Sequence, residues 1–256
     1  MESKKRIRVI PILSIVDNKL VKTVNFKNPR YIGDPLNAIK ILNEKRVDEL
    51  VIVDITASKD KKEPNYKLIE DMASEAFMPL AYGGGIHTFS QAAKIFSLGV
   101  EKVILNSALY SNKDLISEIA SVYGNQSVVV SLDIKKNIFG NIRAFFYSGT
   151  RNLSANIEEL IQLYIDQGAG ELIIHSIDRD GTFSGFDLKL IEKFSKIAIP
   201  VVALGGCNSI KDMIDSIKSG ANAIAAGSFF VYRNNDVRSI LVNYPNRSEL
   251  KEIVNR

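Results

Sequence analysis

The segment PLAYGGG at residues 79–85 returns 121 positions later as PVVALGG at 200–206, so the fold must accommodate the same local structure twice. At that offset Pro79 pairs with Pro200, Gly84 and Gly85 with Gly205 and Gly206, Gly99 with Gly220, and Ser107 with Ser228. Upstream, ELVIVDI at 49–55 pairs with ELIIHSI at 171–177, an offset of 122, and PILSI at 11–15 overlays VSLDI at 130–134, an offset of 119. Two halves built on one plan follow. Short β-rich runs occupy 7–15, 49–56, 79–82, 102–106, 127–134, 171–177, 200–204 and 222–227, eight in all. Apolar on both faces, they suit a parallel sheet covered by helices. Amphipathic stretches such as 36–46, 89–99, 156–168 and 210–220 lie between them. The pattern predicts an α/β chain forming one domain over 1–256, a (β/α)8 TIM barrel made of two (βα)4 half-barrels.

Composition removes several function classes. With 46% hydrophobic residues the chain can bury a large core, and its 33 basic residues are scattered among 29 acidic ones, so nucleic acid is not indicated. The start MESKKRIRVIPILSI is basic and then apolar, but charge resumes at Asp17, which fits a first strand better than a signal peptide. No stretch approaches the roughly 20 apolar residues of a membrane span. One cysteine, Cys207, excludes an internal disulfide, and two histidines give no zinc-type cluster. No metal or cofactor is expected, and a reducing cytoplasm is the expected compartment.

In such a barrel, function sits on the loops after the C-terminal ends of the strands. Gly84 and Gly85 follow the run at 79–82, and Asn106 with Ser107 close the run at 102–106, which together would make an anion cradle of peptide N–H groups and a hydroxyl. The repeat copies that cradle with Gly205, Gly206, Gly227 and Ser228, and Asp180, Gly181 and Thr182 are placed to join it. Gly-Gly after a strand can be turn chemistry alone. Duplication at matched spacing favours two phosphate sites and hence an elongated ligand with a phosphate at each end.

Asp133 ends the fifth β-run, where a carboxylate can serve as general acid or base, and its repeat partner is Ser14. Asp133, Asp54 and Asp180 can equally be loop caps. Lys22, in the hairpin-like KLVKTV, could screen phosphate or close as a lid, but a solvated surface lysine is the simpler reading. His175 stands near the mouth, with ligand contact and packing both open, as for His87. Cys207 has no nearby histidine to activate it and reads as an ordinary small residue.

GDP at 33–35, DELVIVDITAS at 48–58, GGGI at 83–86, SIDRDGTFSGFD at 176–187 and ALGGC at 203–207 fall in an order that resembles the cyclase subunit of imidazole glycerol phosphate synthase, the HisF-like family, over nearly the full length. The resemblance implies a partner: a glutaminase (HisH-like) subunit makes ammonia, which crosses the barrel to attack a bisphosphorylated ribonucleotide. It also implies a polar gate for ammonia at the bottom of the barrel, matched here by Arg8, Glu49, Lys102 and Glu171. Members of the family use two catalytic aspartates. Asp133 matches one, and Ser14 stands where the other belongs; His175 stands for a usual threonine and Leu204 for a usual serine. These departures resemble a paralogous branch that supplies ammonia to a sugar amidotransferase in surface-polysaccharide biosynthesis. The alternative is a genuine cyclase of histidine biosynthesis.

Overall fold

A computed structural model describes residues 7–254 apart from Ile138 and Ser154, so the basic start at 1–6 lies outside the described residues. The first strand, β1 (Arg8–Val16), runs into an antiparallel hairpin of β2 (Lys19–Val24) and β3 (Lys27–Gly33). Helix α1 (Pro35–Lys45), β4 (Leu50–Asp54), α2 (Tyr66–Glu75), β5 (Leu80–Gly83), α3 (Phe89–Ser97), β6 (Lys102–Leu105) and α4 (Leu115–Tyr123) complete the first half. The second half repeats that order element for element. It runs through β7 (Val128–Lys136), a hairpin of β8 (Ile142–Phe146) and β9 (Arg151–Leu153), α5 (Ile157–Asp166), β10 (Glu171–Ser176), α6 (Leu188–Phe194), β11 (Val201–Leu204), α7 (Ile210–Lys218), β12 (Ala223–Ala226) and α8 (Arg247–Val254). The eight parallel strands β1, β4, β5, β6, β7, β10, β11 and β12 close on themselves, because β12 pairs with β1 and β10 pairs with β7. The (β/α)8 barrel and its two-half construction match the reading of the repeat. The second hairpin, β8 and β9, is an element the sequence pattern did not announce.

Local chemistry explains the helix starts. Asp34 caps α1 by accepting the Asn37 N–H at 2.9 Å, and Pro35 pre-sets the first helical φ without losing a bonded N–H. Thr88 and Gln91 form a reciprocal capping box on α3, and Ser209, 121 residues on, caps α7 by accepting from the Asp212 N–H. The repeat therefore extends to the caps.

Alternation along the strands divides the molecule into two cores. One side of each strand packs against the helices. The other fills the barrel with Ile10, Ile12, Val51, Ile104, Val129 and Ile173 among a compact inner cluster. Tyr244, after the last strand, donates to the Val9 carbonyl at 2.8 Å and ties the C-terminal segment to β1. No helix among the described residues is long and apolar enough to cross a membrane.

Candidate functional site

At the N-terminal end of the barrel, Arg8 on β1 and Lys102 on β6 meet Glu49, just before β4, and Glu171, the first residue of β10. Arg8 donates to both carboxylates, and Lys102 Nζ reaches Glu49 at 2.8 and 3.0 Å and Glu171 at 3.2 Å. The two glutamates are buried and the two cations half-buried. Each carboxylate touches both cations, so the charges alternate around a closed ring of four. Burial works against the Arg8 charge, but hydrogen bonds and attraction from Glu171 and Glu49 outweigh it and hold its pKa above the ordinary value. Buried charge is tolerated here because it is fully paired.

Directly above the ring lies a narrow cavity of about 10 Å³ walled by Glu49, Glu171 and apolar side chains including Ala81, Val129 and Ala225. Val51, Ile104 and Ile173 line that cavity and also the floor of a much larger one, about 150 Å³, at the C-terminal mouth. The lumen is thus apolar between a charged bottom and a polar top.

The mouth brings together Ser14, Asp54, Gly84, Gly85, Asn106, Ser107, Asp133, His175, Asp180 and Leu204. Gly84 (φ +117°) and Gly85 (φ +72°) are required as glycine: a Cβ on Gly84 would stand 2.5 Å from the Asp54 carbonyl oxygen, and one on Gly85 2.9 Å from that of Lys62. Several expected contacts are used internally. Ser58 Oγ accepts the Gly85 N–H at 3.2 Å, Asn106 Nδ2 donates to the Ser131 carbonyl at 2.9 Å, and Ser107 Oγ accepts the Tyr147 N–H at 3.0 Å. The second cradle, with Gly181, Gly205, Gly206, Gly227 and Ser228, lines a small adjoining cavity of about 20 Å³ that shares Asp180 and Leu204 with the mouth.

Asp54 holds its own loop, its Oδ1 accepting from Thr56 N–H, Thr56 Oγ1 and Ala57 N–H at 2.9–3.0 Å. His175 is enclosed by carboxylates: Nδ1 lies 3.4 Å from Asp133 Oδ1 and Nε2 lies 3.4 Å from Asp180 Oδ1, with the Phe26 ring edge-on at 4.8 Å between centroids. Burial favours the neutral imidazole, but hydrogen bonds and charge from the two aspartates prevail and raise its pKa to about 9. Asp180 is half-buried; desolvation works against its charge, but His175, Lys22 and the Thr23 hydroxyl outweigh it and hold the carboxyl below the usual carboxylate range.

Lys22 corrects the expectation of a solvated surface side chain. It is 7% exposed, its Nζ donates to the Ile12 carbonyl at 2.6 Å, and a Cβ on Gly227 would come within 2.3 Å of it. The β2–β3 hairpin folds inward and tucks the ammonium behind the second cradle, outside the walls of both mouth cavities. Desolvation lowers its pKa to about 8, with Asp180 resisting. Cys207 is buried, which pushes its thiol up. Burial lowers the pKa of His87, which lies outside the lining of both cavities. Sequence reasoning missed Thr23, Phe26, Ser58, Ser131 and Ser148, all lining the mouth. Of these, Ser58 closes the DELVIVDITAS motif, Thr23 lies in KLVKTV and Ser131 lies in VSLDI, whereas Phe26 and Ser148 carried no signal. Among the described residues no group of three or more His, Cys, Asp or Glu side chains is arranged to hold a metal ion.

The family described as histidine biosynthesis protein matches residues 8–236. A Pseudomonas aeruginosa protein provisionally named an imidazole glycerol phosphate synthase subunit is 49% identical over 247 residues, covering 96% of this chain and 98% of its own. A Leptospira interrogans protein provisionally named imidazole glycerol phosphate synthase subunit HisF is 46% identical over 245 residues, 94% of this chain and 96% of its own. The imidazole glycerol phosphate synthase subunit HisF of a Thermotoga species is 38% identical over 234 residues, 91% of this chain and 92% of its own. Likeness at that level, running from the charged ring to the last glycine cradle, places the chain in the HisF family of imidazole glycerol phosphate synthase subunits.

Proposed function

We propose that this chain is the ammonia-conducting subunit of a glutamine amidotransferase complex in the cytoplasm. A HisH-like glutaminase docks under the barrel and a phosphorylated ligand sits at the mouth. The observation that carries the reading is the closed ring of Arg8, Glu49, Lys102 and Glu171 beneath an apolar lumen. Ring and lumen together suit a small neutral nucleophile: ions meet opposite charge at the entrance, and the apolar wall above gives them no hydration. In this reading one cation swings aside, ammonia enters past the two glutamates, and Val51, Ile104 and Ile173 keep water from following.

At the mouth, Ser14 faces the cavity that Asp133 also lines. A serine hydroxyl is no base near neutral pH, and general acid–base assistance is typically worth about 10²–10⁴-fold. Asp133 itself is engaged by His175. Cyclase chemistry is therefore weak or absent, and the ammonia serves a third, sugar-modifying enzyme in surface-polysaccharide biosynthesis.

The test is an assay of the purified chain with a HisH-like glutaminase. The two are expected to co-elute, glutamine hydrolysis to rise on complex formation, and wild-type cyclase turnover of the bisphosphate substrate to be absent. Ser14→Asp is expected to raise that turnover. A second reading, a genuine cyclase of histidine biosynthesis, is favoured by the retained Asp133, and measurable wild-type turnover with ammonium salts would establish it over the first.

A further inference from the structure

The upper part of β7 and its antiparallel partner β8 rise above the barrel with one face turned to the mouth. On the opposite face Leu132, Ile134, Ala144 and Phe146 are buried in the core beneath the helices. Alternation therefore places Asp133 and Lys135 of β7 with Arg143 and Phe145 of β8 on the mouth side, where Ser131 and Asp133 line the cavity. Because β10 pairs with β7 as far as Ile134, β8 takes the other edge, above β6. Contacts at the end of β6 agree: Asn106 Nδ2 reaches the Phe145 carbonyl at 3.4 Å, and Ser107 Oγ accepts the Tyr147 N–H. Arg143, two residues beyond Phe145 and farther from the barrel, thus stands over the Asn106 and Ser107 end of the first cradle.

Lys135 and Arg143 are partners in register across the two strands. Like charges directly opposite one another destabilise a sheet. The surrounding chain does not relieve them, since residues 134–157 include Lys135, Lys136, Arg143 and Arg151 but no acidic residue. Lys136, on the far face, is paired with Asp187, and the nearby Asp178 carboxylate accepts the Lys136 N–H at 2.9 Å. Among the described residues Lys135 and Arg143 have no ion pair, and both are exposed.

The first cradle has few donors left for an anion. The Gly85 N–H is given to Ser58 Oγ, the Asn106 amide to the Ser131 carbonyl, and the Ser107 oxygen already receives the Tyr147 N–H. A dianion arriving on this side of the mouth meets an ammonium and a guanidinium one strand apart, and the guanidinium fork can bind two of its oxygens.

We propose that Lys135 and Arg143 are the anion site on this side of the mouth, holding the phosphate of a phosphomonoester whose uncharged part extends down toward Asp133 and His175. The ligand supplies the countercharge that the paired strands lack. The proposal rests on the reading of a phosphorylated ligand at the mouth and not on the ammonia passage, so the two can fail separately.

The experiment is calorimetric titration of the full chain with ribose 5-phosphate, with ribose as the uncharged control, alongside urea denaturation of each variant. Wild type is expected to bind the phosphate ester and not the free sugar. Lys135→Gln and Arg143→Gln are each expected to weaken binding by about tenfold, and Arg143→Lys by less, since it keeps the charge and loses only the fork. The two glutamine variants should nonetheless resist urea at least as well as wild type, because each removes a repulsion. Arg143→Glu, which sets opposite charges across the strands, is expected to abolish binding and raise the urea midpoint. Undiminished affinity in a folded double variant, Lys135→Gln with Arg143→Gln, overturns the proposal; the phosphate then belongs to the cradles, and the cations to an acidic protein surface. A lowered urea midpoint in both single variants also overturns it, because the two charges would then already be balanced within the fold. Failure of wild type to bind ribose 5-phosphate at millimolar concentration overturns the phosphorylated-ligand reading as well, while co-elution with glutaminase would leave the ammonia reading standing.

Discussion

His175 has an acceptor on each ring nitrogen, Asp133 on one side and Asp180 on the other, both at 3.4 Å. A neutral imidazole can donate from only one nitrogen, so this geometry calls for the doubly protonated ring. An unfolded histidine loses its proton near 6.5, the folded one near 9. Between those values the folded state holds the extra proton. The stability gained from the clamp is fully present below about pH 6.5 and is lost as pH rises through about 9. Lys22 acts in the opposite sense, because its depressed pKa of about 8 means that the penalty of burying its charge is relieved at higher pH. The two effects separate by difference. The gap in melting temperature between wild type and His175→Thr is expected to narrow steadily from pH 6.5 to above pH 9, and a gap independent of pH would remove the imidazolium. With two histidines in the chain, a proton-detected NMR titration can follow each one directly. The family resemblance marked Ser14, His175 and Leu204 as departures from the family pattern. It did not give the clamp, because Asp180 reaches His175 only when the turn at Ile177–Arg179 curls the loop back over the strand end. Nor did it give the burial of Lys22, whose KLVKTV setting reads as a solvent-facing hairpin until β3 and the barrel mouth are in place.

At the level of elements, the eight barrel strands were legible because each is a short apolar run bounded by turn residues, and the β2 hairpin because it follows a clear break at Asp17 and Asn18. The β8–β9 hairpin was not. Its turn places Tyr147, Ser148 and Gly149 at φ 52°, 55° and 78°, and of these only the glycine advertises a left-handed conformation. The equivalent caps on α3 and α7 offer a test of how far the two halves act independently. Thr88→Ala and Ser209→Ala are each expected to lower stability by about 1 kcal/mol. Made together they should add to within a few tenths, since they sit in different halves with no shared partner. Chemical denaturation of the single and double variants checks this, and strong non-additivity would mean that the halves are coupled through more than the barrel. Within the barrel wall, Tyr82 carries a buried hydroxyl with no hydrogen-bond partner among the described residues. Tyr82→Phe is therefore expected to leave stability unchanged or raise it by up to about 1 kcal/mol in the same measurement, where loss of a satisfied hydroxyl would lower it.

For the whole molecule, the ring at the bottom decides more than any single contact. Spacing alone did not reveal it; four charged residues at strand starts were visible, but only the resemblance said that they converge, and side-chain reach across the lumen is a property of the closed barrel. Lys102→Met would leave Arg8 as the sole cation facing two buried glutamates, and a loss near the lower end of about 3–5 kcal/mol is expected by denaturant titration, given that the lysine keeps some solvent contact. The companion change Glu171→Gln, made in that background, should recover part of the loss by restoring neutrality, and no recovery would mean that packing rather than charge balance holds the ring. The ring's four charges also sum to zero, and each neutralises its neighbours within a few ångströms, far inside the ~8–10 Å over which dissolved ions screen at ordinary ionic strength. On the proposed function, added salt is therefore expected to release a glutaminase docked beneath the barrel before it loosens the ring. That reading makes docking and ring opening two separate events, and a sodium chloride gradient that released the partner only together with the ring's melting would count against it.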